Sequence, residues 1–214
     1  MSNRIIGSLI ALVLAAAAAR AADPPATLYQ SNFAKVELNK VPDDFLVLDG
    51  DFAVKDFEGK KVLELPGAPL DTFGALFGPA TNAGVCVTAQ IYGVSKGRRY
   101  PVFGVGLNGV GGYKLKISPA KGALEIYKGD DVLASVPYEW KSGSWTVLRL
   151  RVRAGGAGDW KIEGKAWPQS TPQPAAWMVV ADEKTPPAAG RASIWGSPYS
   201  GMPIRFDDLL LTGQ

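Results

Sequence analysis

Short apolar runs, each followed by turn-forming residues, recur along most of the chain. Each run is rich in Val, Ile, Leu, Phe, Tyr and Trp, and Gly, Pro, Asn or Asp follows it. Beyond the N-terminal segment, no stretch of ten residues repeats its apolar positions at the spacing i, i+3, i+4, i+7 of an amphipathic helix. The pattern therefore predicts an all-β chain of roughly a dozen strands, arranged as two packed sheets.

The clearest alternation lies in segment 112–128. Its first strand places Leu115 and Ile117 on one face, and Lys114 and Lys116 on the other. The chain then turns and returns as a second strand, and a third apolar run follows. Three consecutive strands are therefore predicted to form a meander. The same pattern predicts a hairpin at 51–65.

Two strands that flank a Gly-rich loop predict a single pairing register. Val152 opposite Ile162 places Arg151 opposite Glu163 on the other face, whereas a slip by one residue would bury arginines. In this register, five basic side chains share one exposed surface: Arg149, Arg151, Arg153, Lys161 and Lys165. We interpret this surface as a solvated face that discourages edge aggregation, with a binding patch for acidic glycans as the alternative.

The first 21 residues have the features of an export signal. Arg4 precedes the apolar run 5–19, and the small residues at 19 and 21 fit signal-peptidase cleavage after Ala21. The run is shorter than the ~20 residues that cross a bilayer, so no membrane anchor should be retained. We expect residues 22–214 to form one domain, a monomer located in the periplasm or outside the cell.

Composition excludes several classes of function. The 23 basic and 20 acidic residues give a net charge of +3, which is too balanced for a nucleic-acid binder of this length. The chain has no histidine, which excludes imidazole bases, Ser-His-Asp hydrolysis and most zinc sites. Cys86 is the only cysteine, so no intrachain disulfide can form, and its apolar strand predicts an inert buried thiol.

Several short motifs occur together in a recognisable order. They are Gly-x-Trp-Thr-x-Leu-Arg-Leu at 143–150, Gly-Lys-x-Trp-Pro at 164–168, Pro-x-x-Trp at 174–177, Gly-Arg-Ala-Ser at 190–193 and Phe-Asp-Asp-Leu-Leu-Leu at 206–211. Together they resemble the concanavalin A-like lectin/glucanase superfamily, in particular the laminin-G-like and 3-keto-disaccharide hydrolase-like (DUF1080) domains of secreted bacterial proteins. The resemblance implies an antiparallel two-sheet jelly-roll β-sandwich, with a concave face that takes carbohydrate in many members.

The catalytic and metal-binding residues of such relatives are not found here. Concanavalin-type glucanases have a Glu-x-Asp-x-(x)-Glu strand that holds two carboxylates about 5 Å apart, and no such run occurs. The keto-disaccharide enzymes usually carry histidine. Some members of the superfamily hold a structural calcium, for which Asp207 is the nearest candidate, but no Asp-rich loop supplies further ligands. We therefore predict no metal, no cofactor and no catalytic residue.

A lectin-like, carbohydrate-binding module is the function predicted instead. Aromatic faces cover the apolar side of sugar rings, and Arg, Asn or Asp bond the hydroxyl groups. The candidate ligand-binding residues lie in or beside predicted loops and are Trp160, Trp177, Trp195, Tyr199 and Arg98. The tryptophans predicted to pack the sandwich are Trp140, Trp145 and Trp167. Two alternatives stay open, a glycoside hydrolase or lyase-like enzyme of the 3-keto-disaccharide hydrolase type and a structural envelope domain that binds proteins.

Overall fold

The computed structural model describes residues 25–68, 71–156 and 158–213, so the predicted signal peptide at 1–21 lies outside the described residues. The first eight strands are β1 (Thr27–Ser31), β2 (Leu46–Asp49), β3 (Ala53–Phe57), β4 (Lys60–Leu65), β5 (Phe73–Thr81), β6 (Val85–Gly93), β7 (Val102–Leu107) and β8 (Tyr113–Ser118). The other seven are β9 (Ala123–Lys128), β10 (Asp131–Pro137), β11 (Ser144–Ala154), β12 (Trp160–Pro168), β13 (Val179–Glu183), β14 (Gly190–Ser197) and β15 (Ile204–Gly213). A short 3-10 helix spans Pro119–Lys121. No helix in the described ranges could span a bilayer.

The strands form two antiparallel sheets, which confirms the predicted all-β, two-sheet architecture. The eight-stranded sheet has the order β13-β12-β11-β6-β15-β4-β3, and β1 also pairs with β15. The seven-stranded sheet has the order β10-β9-β8-β7-β14-β5-β2. Because every strand of the described chain belongs to one of these two sheets, only loops and the short helix can lie over their outer faces.

The hairpins predicted from alternation are confirmed. Strands β3 and β4 are joined through Glu58 and Gly59, whose φ angles of 56° and 79° are those of a type I′ turn. Strands β8, β9 and β10 form the predicted meander. The register of β11 and β12 also matches the prediction, with Arg151 opposite Glu163. Local alternation therefore identified the correct strand partners in these hairpins.

The hydrophobic core lies between the inner faces of the two sheets. Alternate residues of the central strands are fully buried there, in accordance with the two-residue repeat of a β-strand. The largest of these side chains are Tyr113, Phe33, Phe77, Phe103 and Phe206. The residues between them point outward, so each sheet presents a second row of side chains on its outer face.

Gly164 makes room for a side chain of the opposite sheet. It lies beside Leu150 and Val179 on the inner face. A Cβ atom at this position would lie 2.4 Å from Cδ1 of Leu115, which is fully buried. We expect Gly164→Val to lower the free energy of unfolding, measured by urea denaturation, by about 2 kcal/mol through overpacking. Gly111→Val is the control, since a Cβ atom there meets nothing within 4 Å, and equal losses would contradict this packing.

Strand β15 contains a β-bulge at its paired aspartates. Phe206 points into the core before the bulge and Leu209 after it, so the bulge shifts the alternation by one residue. Asp208 takes the positive φ of 45° that the bulge requires. Asp207, the nearest candidate for a calcium ligand, is buried and forms an ion pair with Lys60. In the described ranges, no three His, Cys, Asp or Glu side chains come together as metal ligands.

The outer face of the eight-stranded sheet carries the predicted basic residues, but a loop covers part of it. The ammonium group of Lys165 donates to the carbonyl oxygen of Pro174, in loop 169–178, at 2.7 Å. Lys165 is only 3% exposed, so the prediction of a solvated face is wrong at this position. Cys86 is buried, as predicted, but it lies on this outer face rather than in the core, with its sulfur 3.0 Å from Nε of Arg149.

Candidate functional site

The outer face of the seven-stranded sheet holds charged side chains that are buried, although no further strand or long helix of the described ranges covers them. Lys114 is 6% exposed and Glu125 is 4% exposed, and both point away from the core. Neighbouring outward side chains shield them from solvent instead. We call this surface the polar face and define it by Lys114, Lys116, Ser118, Glu125, Tyr127, Ser193 and Trp195. Buried polar groups in such a position are a common mark of a binding site.

Glu125 is held in a hydrogen-bond network on strands β8 and β9. Ser118 donates to its carboxylate at 2.6 Å and Tyr127 at 2.8 Å, and the ammonium group of Lys121 lies 3.2 Å from the other oxygen. Burial opposes ionisation of Glu125, but the hydrogen bonds from Ser118, Tyr127 and Lys121 outweigh it and lower its pKa. The carboxylate is therefore ionised at neutral pH, and Lys121 balances its charge.

Trp195 lies across the middle of the polar face because neighbouring glycines leave space for it. It is paired with Gly74 on β5 and Gly104 on β7. A Cβ atom at Gly74 would lie 2.7 Å from two carbons of the indole ring, so a larger residue there would displace the ring. The indole nitrogen donates to Oγ of Ser193 at 2.8 Å, and Nζ of Lys114 lies 4.2 Å from the ring centroid. The ring is thus fixed in one orientation.

The two lysines of the polar face have few partners for their charges. Nζ of Lys114 donates to the carbonyl oxygen of Gly129 at a long 3.4 Å, and Nζ of Lys116 lies 4.6 Å from the ring centroid of Tyr127. Neither ammonium group forms an ion pair with a carboxylate in the described part of the chain. Burial lowers the pKa of both lysines, and the charge of Lys114 lowers that of Lys116 further.

The structure brings two of the five predicted ligand-binding residues together. Trp195 and Ser197 point to the same side of β14, and the hydroxyl of Ser197 lies 2.7 Å from that of Thr72. The phenol oxygen of Tyr199 lies 3.5 Å from the same Thr72 hydroxyl. Tyr199 is therefore at the edge of the polar face, next to the position of Trp195.

The other three predicted residues lie elsewhere. Trp177 packs on the outer face of the eight-stranded sheet, where its ring centroid lies 4.4 Å from the guanidinium carbon of Arg151 and 4.7 Å from Nζ of Lys165. Trp160 is half-buried at the start of β12. Arg98 is exposed in the turn that connects the two sheets between β6 and β7. The five residues therefore do not line one groove.

The three tryptophans predicted to pack the sandwich also lie in different places, with Trp140 in the loop between β10 and β11. Trp140 packs its ring 5.8 Å from that of the core residue Phe103, as predicted. Trp145 does not pack between the sheets, because odd-numbered positions of β11 point outward. It lies on the outer face of the eight-stranded sheet against Tyr92, at 5.5 Å between ring centroids. Trp167 is buried on that same face.

Sequence reasoning missed the charged half of the polar face. It placed Lys114 and Lys116 on the outward side of their strand, but did not connect them with Trp195. A signal for this connection exists in β7, where Gly104 and Gly106 alternate with apolar residues. Glycine at two successive outward positions of a strand leaves room for large side chains from both neighbouring strands, here β8 and β14.

Open grooves also lie away from the polar face, and two of them have aromatic residues in their lining. The larger, about 550 Å³, is lined by residues 30–36 and 208–210, and its one aromatic side chain, Phe33, is buried in the core. The other, about 380 Å³, lies at one end of the sandwich and is lined by the rings of Tyr100, Tyr138 and Trp140. Neither groove contains buried charged side chains comparable with those of the polar face.

The fold is shared with solved structures of carbohydrate-binding and carbohydrate-active proteins. The chain is similar to the carbohydrate-binding module CBM66 from Bacillus subtilis, with 12% identity over 79% of this chain and 96% of that one, and a TM-score of 0.54. It is similar to a protein of unknown function with a galectin-like fold, also from Bacillus subtilis, with 11% identity, coverage of 88% and 96%, and a TM-score of 0.57.

A third similar structure is an enzyme, the PL-14 alginate lyase from Aplysia kurodai, with 11% identity, coverage of 88% and 99%, and a TM-score of 0.52. No protein-family model matches the chain, and no curated protein sequence matches it. At such low identity the similarity concerns the fold alone. It confirms the predicted class, an antiparallel two-sheet β-sandwich of the concanavalin A-like and galectin-like kind.

Proposed function

We propose that this chain is a lectin-like carbohydrate-binding module whose ligand lies on the polar face. The observation that carries the proposal is the buried polar cluster around Trp195, on an outer sheet face that no other sheet of the described chain covers. Support also comes from the fold, since one similar structure is named as a carbohydrate-binding module. In the same proposal, residues 1–21 direct export, so the glycan is one found in the periplasm or outside the cell.

The chemistry of the polar face suits a sugar. The indole of Trp195, 8% exposed beside the ammonium group of Lys114, supplies a small aromatic surface, and Tyr199 supplies a second one at the edge. Tyr127 and Ser118 carry hydroxyl groups, and the carboxylate of Glu125 accepts hydrogen bonds, so the hydroxyl groups of a pyranose ring find donors and acceptors within one network. The network fixes these groups before a ligand arrives, which lowers the entropy cost of binding.

Hydrolysis by a carboxylate pair has less support than binding. A retaining glycosidase needs two carboxyl groups about 5 Å apart, and an inverting one needs two at roughly 6.5–9.5 Å. Among the residues that define the polar face, Glu125 is the one carboxylate, and three donors already bind it. Incubation with the bound glycan, followed by measurement of reducing ends and of unsaturated products, separates a binding module from a hydrolase or lyase.

Replacing Trp195 is expected to weaken glycan binding at least tenfold, which corresponds to about 1.4 kcal/mol. The variant Trp195→Ala removes the aromatic surface at the centre of the polar face. Gly74→Val should give a similar loss although the tryptophan remains, because the new side chain displaces the indole ring. Both are measured by isothermal titration calorimetry with glycans selected from a polysaccharide panel.

Trp177→Ala is the matched control for this experiment. It removes a partly buried tryptophan of the same chain from the opposite outer face, and we expect it to leave affinity unchanged. Near-UV circular dichroism shows whether each variant keeps its fold. Binding that survives Trp195→Ala and is lost in Trp177→Ala would place the site on the eight-stranded sheet and contradict the proposal.

A further inference from the structure

We propose that the polar face selects glycans that carry negative charge, as carboxylate or sulfate groups, and that Lys114 and Lys116 bind that charge. This inference rests on the proposed function, because it names the ligand class of the same face. Carboxylate and sulfate share the chemistry that matters here, an anion whose oxygens accept hydrogen bonds from ammonium groups.

The polar face holds two positive charges that form no ion pair with a carboxylate in the described ranges. Glu125 is its one carboxylate, and Lys121 already pairs with it. An ammonium group offers three donors, whereas Lys114 uses one long hydrogen bond and Lys116 uses none within the described ranges. Buried charges in proteins are generally paired, because leaving water costs them free energy. An anionic ligand would supply the missing partner.

The lowered pKa values of Lys114 and Lys116 are consistent with partly buried ammonium groups that form no ion pair. Burial lowers the pKa of Lys114, against the opposite effect of the Asp130 charge. Burial also lowers the pKa of Lys116, and the charges of Lys114 and Lys121 act in the same direction, while Asp130 and Glu125 oppose them. Asp130 and Glu125 therefore offset part of the effect of burial, but neither forms an ion pair with Lys114 or Lys116 in the described ranges.

The positions of the two lysines allow one ligand to reach both. They are two residues apart on β8, so their side chains leave the same side of the strand, about 6.6 Å apart along it. Nζ of Lys114 also lies 4.2 Å from the ring centroid of Trp195. A charged group bound to Lys114 therefore places the sugar that carries it next to the indole ring, which links charge recognition to stacking.

The basic residues on the opposite sheet already have partners. Glu163 pairs with Arg151 and Arg153, and Lys161 pairs with Asp182. The remaining two, Lys165 and Arg149, bond to the oxygens of Pro174 and Gln173. Both outer faces carry several cations. In the described ranges, the lysines of the polar face are the ones that have neither a carboxylate partner nor a short hydrogen bond.

The test compares three classes of polysaccharide against the full protein and its variants. The probes are polygalacturonate for carboxylate, a sulfated galactan for sulfate, and laminarin as the neutral glycan. We expect one or both anionic probes to bind at least tenfold more tightly than laminarin. This preference should shrink when sodium chloride rises from about 50 to about 500 mM, because the Debye length falls across that range. Titration of the two anionic probes in parallel distinguishes the source of the charge.

Lys114→Gln and Lys116→Gln are each expected to weaken binding of the anionic probe at least fivefold. Lys184→Gln, which removes an exposed lysine of the β13–β14 loop, is the charge-matched control and should have no effect. Lys116→Met adds a second measurement. It should lose affinity while the melting temperature stays equal or rises, because it removes a desolvated charge that has no counter-ion.

The outcomes separate this inference from the proposed function. Binding of laminarin as tight as that of the anionic probes, with loss in Trp195→Ala, would overturn charge selection and leave carbohydrate binding in place. An anionic preference that Lys114→Gln and Lys116→Gln leave unchanged would overturn the assignment of these lysines. A lower melting temperature in Lys116→Met without loss of affinity would make that lysine structural. Failure of every probe and of the wider panel to bind would overturn both proposals.

Discussion

Phe206→Ala is expected to lower the free energy of unfolding by about 3–5 kcal/mol, the usual cost of removing a fully buried phenylalanine ring. Phe206 has no exposed surface and lies on β15, between β4 and β6 in the eight-stranded sheet. Its ring centroid is 6.1 Å from that of Phe52 in the same layer. Its Cζ atom is 3.5 Å from where a Cβ atom of Gly196 would lie, on the inner face of the other sheet. Truncation would therefore open a cavity between the sheets.

Urea denaturation followed by tryptophan fluorescence measures this loss. Leu46→Ala is the comparison, because Leu46 is 52% exposed on an edge strand and its truncation should cost no more than about 0.5 kcal/mol. Equal effects of the two variants would show that the ring of Phe206 does not pack between the sheets.

Glu163→Gln is expected to lower the free energy of unfolding by about 3 kcal/mol at neutral pH, the low end of the cost of breaking a buried ion pair. The carboxylate accepts hydrogen bonds from Nε of Arg151 at 2.7 Å and from Nε and Nη2 of Arg153 at 2.9 and 3.0 Å. Glu163 itself is buried, whereas both arginines keep part of their hydration. The variant would leave two like charges side by side without their shared counter-ion.

The effect of Glu163→Gln should depend on pH. Burial opposes ionisation of Glu163, but the hydrogen bonds from Arg153 and Arg151 outweigh it and lower the pKa of this carboxyl. A carboxyl whose pKa is lower in the folded state stabilises the fold above its unfolded pKa, about 4.3, and loses that effect as pH falls through the folded pKa. Wild type and variant should therefore differ most near pH 7 and converge at strongly acidic pH.

Urea denaturation at pH 7 and pH 3 tests this dependence, with Asp182→Asn as the control. Asp182 pairs with Lys161 on the same sheet, but its side chain is 67% exposed, so its loss should cost about 0.5 kcal/mol or less. A difference between wild type and Glu163→Gln that stays constant over this pH range would contradict the ion-pair explanation.

Both outer faces carry several basic side chains, but the partners of these side chains differ between the two faces. On the eight-stranded sheet the cations are neutralised by carboxylates or bonded to loop oxygens, and they contribute to stability. On the polar face Lys114 and Lys116 have no carboxylate partner, and we propose that they contribute to binding. The basic surface that the sequence predicted to be solvated is therefore mainly a structural network of ion pairs and hydrogen bonds. We propose the site for acidic glycans on the other sheet instead.

Some strands were harder to predict than others. The chain has fifteen strands in the described ranges, whereas the sequence indicated roughly a dozen. Strand β2 is short and mostly exposed, so its residues show little two-residue contrast between buried and exposed positions. The β-bulge at Asp207 and Asp208 also interrupts alternation inside β15. Alternation is a reliable signal only where one face of a strand is buried and the other is solvated.

In the regular hairpin strands, the sequence by itself determined which aliphatic side chains point inward, and it determined the register of β11 against β12. Both follow from local alternation and from the cost of burying arginine. It did not determine which outer face each tryptophan occupies. Trp195 and Trp177 were both predicted to lie in or beside loops, yet one lies within β14 against Gly74 and the other packs on Arg151. Only the tertiary structure decided which outer face each tryptophan occupies, because a site on a sheet face is built by strands that are far apart in the chain. Local periodicity carries no information about which distant strands become neighbours.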